Sequence, residues 1–556
     1  MTGGFGWLDT VVLVGYFIGI TAFGLWMARR TRTSDGYFRG ERKLSWWIMV
    51  GQAFGTGTHA EMPVAQAGAT FQYGFAAIWY QWKNMLITPF YWFIAPWYRR
   101  SERTTVGEIV EDRYGRKLGM FYSVFAILFF VFSQGAMLQG AAKIISVASG
   151  DLISSNMVVV GMTVAFLTYS FFGGLIASAY TDFVQSFLII VLSLLLLPAG
   201  LSAVGGFYGM RQVLAPDFFN LYSRVSGLDA FTIAMLAVNG IVGITAQPHM
   251  ISMCATGSTE RAGRVGQTYG SIVKRLCTIA WALVGLIVAA LLIQRGATIP
   301  DPEHAFGYAC RELLLPGLTG LMVSAVLAAN MSTCSNFMVN TGALFTQNFY
   351  RKYFNPDAPD ARLLLMGRVS GFVLTLLGVI FALTIKNVLH AFLFTETIAA
   401  FMGIMIFGGI LWKRANRYGA LVSVIMSFGL YYGLNYYSTG RLMLVYAWQP
   451  APFGAAMFAG FICLIVVSLL SKEEEPARIA AFFDNMQRLS DRGTPKPPAK
   501  EHGQDLIFVD LPGWFTRERW QGFVKRYRED WAGFLIAWLV VGCTVALAWG
   551  IMQLGQ

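Results

Sequence analysis

The run from Ser45 to Tyr73 is apolar at both ends, and its centre reads Gly55-Thr56-Gly57-Thr58-His59. Glycine adds backbone freedom and threonine competes for backbone hydrogen bonds, so a helix passing through this point can unwind and turn carbonyl oxygens toward a bound cation. Alternatively, the two glycines only let a second helix pack closely. Ser332 and Thr333 lie side by side in Ala328-Ala329-Asn330-Met331-Ser332-Thr333. They supply two neutral hydroxyls of the hard-oxygen kind that a small monovalent cation needs. Their alternative is to bond only their own helix four residues back. Asp182 follows Thr181 in another apolar run, where a carboxylate is costly enough to require a partner. That partner is a cation in transit or an arginine near the helix end, and Gln185 shares the same helical face.

A second set of polar residues suits an organic ligand. His59 follows the glycine pair and Glu61 comes two residues later, while Gln81 and Asn84 stand three apart, on one face if their segment is helical. Asn239, Gln247 and Lys274 are set in further apolar runs. Each has a plainer reading: Glu61 pairs with Lys83 or Lys274, and Lys274 with Arg275 snorkels to an interface. Histidine titrates near physiological pH, so His59 either donates to a ligand as neutral imidazole or carries a coupling proton. Desolvation and like charge beside a cation both favour the neutral form.

The elements that would hold these residues are membrane spans. The 556 residues are 56% hydrophobic and 13% charged, with mean hydropathy +0.54, and apolar runs of about 20 residues recur, the length that crosses a bilayer. The net charge of +12 lies in short clusters between these runs rather than on one soluble face, which argues against nucleic acid. Six scattered cysteines without CxxC spacing predict neither a disulfide framework nor a zinc site. No basic stretch precedes the first apolar run, which reads as a retained helix. No Ser-His-Asp arrangement, metal cluster or phosphate loop suggests an enzyme.

Fourteen spans are expected in an all-α polytopic protein, near 7 to 28, 45 to 73, 75 to 98, 118 to 148, 156 to 174, 179 to 203, 229 to 256, 264 to 293, 316 to 347, 368 to 386, 391 to 412, 418 to 437, 452 to 471 and 531 to 554. Arginine and lysine clusters after the first and third spans, and after alternate spans beyond them, place those loops in the cytoplasm and both termini outside a cell membrane. Span seven has Gly240, Gly243 and Gln247-Pro248-His249, a second interruption half a core away from the first. Paired broken helices mark secondary transporters built from two repeats, and repeats of five spans face opposite ways. The expected division is 1–44 for the first helix and loop, 45–228 and 229–417 for the repeats, and 418–471 for two peripheral helices. A cytoplasmic linker at 472–530, with a proline-bearing run Thr494 to Pro498 and an aromatic-basic stretch, precedes the last helix at 531–556. That stretch lies along the inner leaflet or is a solvated linker.

Several motifs resemble the sodium:solute symporter family: Gly40 to Leu44, TTVGEIVEDRYG from Thr104, YSFFGGLIASAYTDFVQ from Tyr169, GITAQPH, AANMSTCSNFMVNTGALFTQNFYR from Ala328, and FGGILWKRANRYGA from Phe407. The resemblance covers roughly residues 7 to 470. The resemblance implies the leucine-transporter-like fold of two inverted five-helix repeats, and 14 spans is similar to the sugar-transporting branch. It implies a sodium site on the carbonyls of Gly55, Thr58 and Ala329 and the hydroxyls of Ser332 and Thr333, with Asp182 on the ion path or at a second ion site. It implies substrate contacts at Gln81, Asn84, Asn239 and Lys274, where the sugar branch has glutamate in place of Gln81. The proline branch has aspartate and serine where this chain has Gly57 and His59. The expectation is therefore a sodium-coupled symporter for a small polar solute such as a sugar, carboxylate, amino acid or vitamin, as a monomer or loose homodimer. The alternatives are proton coupling through His59 and a transporter-derived sensor, with the 472–530 segment as its output.

Overall fold

The computed structural model describes residues 5–29, 33–225, 227–385, 387–488, 506–515, 520 and 523–556. The run Thr494 to Pro498 lies outside them. The chain is helical, with no β-strand among the described residues beyond two isolated bridges. The helices used below are α1 (Trp7–Ala28), α2 (Trp46–Thr56), α3 (Glu61–Tyr73), α4 (Tyr91–Ser101), α5 (Arg116–Ala148) and α6 (Ser155–Leu194). There follow α7 (Ala230–Ala246), α8 (Met250–Ala255), α9 (Glu260–Arg295), α10 (Leu318–Leu344) and α11 (Asp360–Ala382). The last four are α12 (Val388–Leu411), α13 (Arg417–Thr439), α14 (Pro450–Leu470) and α15 (Arg528–Met552). Among the described residues nine helices are individually long and apolar enough to cross a membrane. Of the remaining expected spans, 418–437 is one continuous helix, α13, and the other three are divided where polar residues gather.

Both expected interruptions are present. α2 and α3 are separated by Gly57–Ala60, and α7 and α8 by Gln247–His249. A helix end inside an apolar bundle leaves backbone groups that must find partners. At the first break the Ala60 N–H donates to Asn330 Oδ1 (2.9 Å), and Asn330 Nδ2 donates to Met137 O (2.6 Å). At the second, the hydroxyls of Tyr98 and Tyr122 donate to the terminal carbonyls of Thr245 (3.0 Å) and Ala246 (2.7 Å). Side chains of neighbouring helices thus replace the missing turns.

Three expected spans differ in form. The segment 75–98 is not one helix: a short helix ends at Trp82, residues 83–87 are turns, and α4 begins only at Tyr91. Pro89 has no N–H to continue the ladder, and both the N–H and hydroxyl of Thr88 fold back onto Asn84 O (2.9 and 2.6 Å). Spans five and six form the single run α6, interrupted at Gly174, whose φ of 57° and ψ of −150° are not helical. A Cβ there would lie 2.4 Å from the Tyr37 ring, so glycine serves both the conformation and the close approach.

Parts of 472–530 pack against the bundle, while others, such as Glu475, Trp520 and Val524, are exposed. The helix Pro476–Gln487 buries Phe482, Phe483 and Met486, and Phe508 stacks on Phe93 (5.9 Å) and Trp97 (6.3 Å) of α4. The neighbouring basic residues do more than mark orientation. Arg113 donates to Gly409 O (2.8 Å) in the last turn of α12 and to Trp412 O (3.1 Å) and Ala415 O (2.8 Å) just beyond it, a favourable place for a cation.

Candidate ion and substrate sites

α2 packs against α6, α9 and α10, so its C-terminal carbonyls are enclosed on three sides. A Cβ on Gly55 would lie 3.0 Å from Asp182 O and 3.1 Å from Ser332 Oγ, a contact only glycine makes without displacement. Thr333 Oγ1 lies 3.1 Å from Thr56 O, 3.4 Å from Gly55 O and 3.3 Å from Ala329 O. Ser332 Oγ and Thr56 Oγ1 donate to the two oxygens of Asp182, at 2.7 and 2.8 Å. Asp182 is fully buried and, among the described residues, has no lysine or arginine at ion-pair distance, so the arginine pairing considered for it is not formed. Gln185 turns instead to Tyr16 Oη (2.7 Å). Thr58 is buried beside this group, with its N–H on Gly55 O (3.2 Å) and its hydroxyl without a partner. The structure thus gathers five of the six residues expected at the cation, Gly55, Ala329, Ser332, Thr333 and Asp182, in direct contact, with Thr58 at their edge. It adds Thr56, through its side chain and its carbonyl. All the donors are hard oxygens, the set that suits sodium, and a helix C-terminus points its negative end at them. The hydroxyl of Thr333 also bonds its own helix, so the plainer reading of that residue is satisfied simultaneously.

A cavity lies on the other side of the break. Its lining includes His59, Gln81, Asn84, Gln247 and Lys274 from the expected substrate set, together with Glu61, Lys83, Arg275 and Glu396. Asn239 does not line it but stands behind, with its side-chain oxygen 3.5 Å from Lys83 Nζ and its amide 3.5 Å from Thr397 Oγ1. Gln81 and Asn84 reach the cavity from the end of a short helix and the turn after it, not from one regular helical face.

The ion pairs are not those considered from the sequence. Glu61 contacts His59 Nδ1 rather than Lys83 or Lys274, and its Oε2 has no hydrogen-bond partner. Lys83 pairs with Glu396 on α12, which also accepts from Gln247 Nε2 at 2.9 Å on each oxygen. Lys274 does not snorkel: its ammonium donates to Gly57 O in the α2–α3 break. Arg275 likewise turns inward and donates to Gln81 O (2.9 Å). Sequence reasoning missed Glu396 and Asn330. The signal for Glu396 was present, a carboxylate inside the apolar run LFTETIAAF, which obliges a buried partner by the argument applied to Asp182. Asn330 carried no comparable signal.

A membrane-embedded bundle with two broken helices, a buried group of oxygens and a polar cavity between them defines a class, the secondary transporters. A sequence profile of the sodium:solute symporter family matches residues 37–427, and the chain belongs to that family. It is similar to the high-affinity proline transporter PutP of Bacillus subtilis, 26% identical over 86% of this chain and 100% of the relative. It is also similar to the sodium/glucose cotransporter of Vibrio parahaemolyticus, 23% identical over 76% of this chain and 84% of the relative. In fold it resembles a solved Na+-coupled sialic acid symporter, with a TM-score of 0.71 at 18% identity over 84% of this chain and 99% of that one. The chain is therefore an integral membrane transporter by family, and its relatives are transporters rather than enzymes.

Proposed function

We propose that the chain is a sodium-coupled symporter for a small polar organic solute, working by alternating access through 14 spans with two inverted five-helix repeats at 45–228 and 229–417. The observation that carries the reading is the adjacency of the two sites on one break. Gly55 and Thr56 carbonyls face the hydroxyl of Thr333, and one residue on, Gly57 O faces Lys274 in the cavity. A cation held by Gly55, Thr58, Ala329, Ser332, Thr333 and Asp182 would fix the break, and with it His59, Gln81, Asn84, Gln247 and Lys274 toward a solute, with Asn239 behind. Binding at one site then changes the ordering cost at the other, which is the thermodynamic content of coupling. The basic-loop pattern supports a cell membrane location with both termini outside.

A second reading has an observation of its own. His59 Nδ1 contacts the Glu61 carboxylate, a pair able to hold a proton in the cavity. Proteoliposomes given an inward sodium gradient at symmetric pH, and separately a pH gradient without sodium, discriminate the two. The solutes offered are those its relatives and fold neighbour are named for: proline, glucose, myo-inositol and sialic acid. Accumulation in the first condition, retained in His59→Gln with altered solute affinity, is expected. Accumulation only in the second, abolished by His59→Gln, would replace sodium by protons. Binding without accumulation in either would make the chain a sensor.

A further inference from the structure

The charges that line the cavity do not balance. Three are basic, Lys83, Lys274 and Arg275, and two are acidic, Glu61 and Glu396. Glu396 is committed to Lys83 and Gln247. Glu61 is committed to His59, and an imidazolium there would only add to the positive excess. Lys274 and Arg275 rest on the neutral carbonyls of Gly57 and Gln81, and among the described residues neither makes an ion pair. A carbonyl dipole offsets part of a buried cation's desolvation but not its charge, so with all five side chains ionised the lining carries one more positive charge than negative. At the cation site nearby the buried Asp182 is met only by hydroxyls, so its ionised form has no counter-charge there. A sodium ion would neutralise that site, and the cavity would then require an anion.

The remaining polar atoms describe the rest of the ligand. Among the lining residues Glu61 Oε2, Asn84 Oδ1 and Gln267 Oε1 are buried acceptors without a donor, Gln81 Nε2 and Arg275 Nε are buried donors without an acceptor, and Ser133 Oγ and His249 Nδ1 are also without partners. Hydroxyl groups satisfy such acceptors without adding charge. A zwitterion would bring donors but leave the excess positive charge in place, and a dianion would overshoot it.

We infer that the solute is a hydroxylated organic monocarboxylate, its carboxylate held by Lys274 and Arg275 and its hydroxyls by Glu61, Asn84 and Gln267. This rests on the symporter reading and narrows its substrate. The test is thermal unfolding of the purified full chain in sodium and in choline buffer. The ligands are matched: D-glucuronate against D-glucose, L-lactate against glycerol, N-acetylneuraminate, and L-proline as the zwitterion. A carboxylate is expected to stabilise the protein in sodium while its neutral partner and proline do not. The methyl ester of the effective acid, which keeps the hydroxyls and loses the charge, should bind at least about tenfold more weakly, the order of one charge-assisted hydrogen bond. Lys274→Gln should lose comparable affinity and Lys274→Arg retain it; the ester makes the result independent of whether Lys274→Gln folds. Stabilisation by glucose, glycerol or proline, equal binding of acid and ester, or no effect of any carboxylate overturns the inference. Sodium alone, compared with choline, reports on the cation site separately. A sodium shift without carboxylate binding rejects the substrate class and leaves the symporter reading standing, whereas no sodium shift rejects that reading itself.

Discussion

At Ser332 and Thr333 two adjacent hydroxyls serve different partners, one the Asp182 carboxylate and the other three backbone carbonyls. Removing either takes one oxygen from the proposed ligand set while leaving helical packing intact. Ser332→Ala and Thr333→Ala are each expected to raise the sodium concentration for half-maximal transport by about tenfold, equivalent to about 1.4 kcal/mol. Sodium activation curves on reconstituted protein check this, and an unchanged double mutant would remove these hydroxyls from the site. The Lys83–Glu396 pair calls for a different experiment, because breaking a buried pair strands the surviving charge. Lys83→Met alone should destabilise by about 3 to 5 kcal/mol, and the double variant Lys83→Met with Glu396→Gln should recover most of that. Additive losses in chemical denaturation would show that the pair is not coupled.

At the scale of elements, breaks and docked segments decide what the long helices present. The α2–α3 break persists because Asn330, Thr333 and Lys274 take up its backbone groups, and the α7–α8 break because two tyrosines do so. The segment around Phe508 is a wedge against α4 and the end of α12: Phe508 also meets Phe407 at 6.3 Å, and Asp510 N donates to Ile410 O (3.1 Å). Phe508→Ala should lower stability by about 2 to 3 kcal/mol, somewhat under the usual loss for a fully buried phenylalanine. A thermal midpoint equal to that of the parent would mean that the wedge contributes no packing.

For the whole molecule, the position of the basic loops predicts an orientation that labelling can check. If the basic loops face the cytoplasm, a cysteine at Glu475, whose side chain is 65% exposed at the start of the docked helix, should react with an impermeant maleimide only from the inner side of oriented vesicles. Reaction from outside would invert the topology. The membrane class and the two interrupted helices were legible from the sequence, because apolar run length and glycine-rich interruptions are local signals, and the family was legible from its motifs. The partners of the buried polar groups were not. From the sequence Glu61 could pair with Lys83 or Lys274, and linear spacing does not say which of the two distant segments brings its charge closest. Only the packing of α9 and α12 around the break assigns Glu61 to His59, Lys83 to Glu396 and Lys274 to a bare carbonyl. The positive excess in the cavity depends on that assignment. A charge sum over the sequence cannot reveal it, because electrostatics in a buried site is fixed by which groups share the same few ångströms.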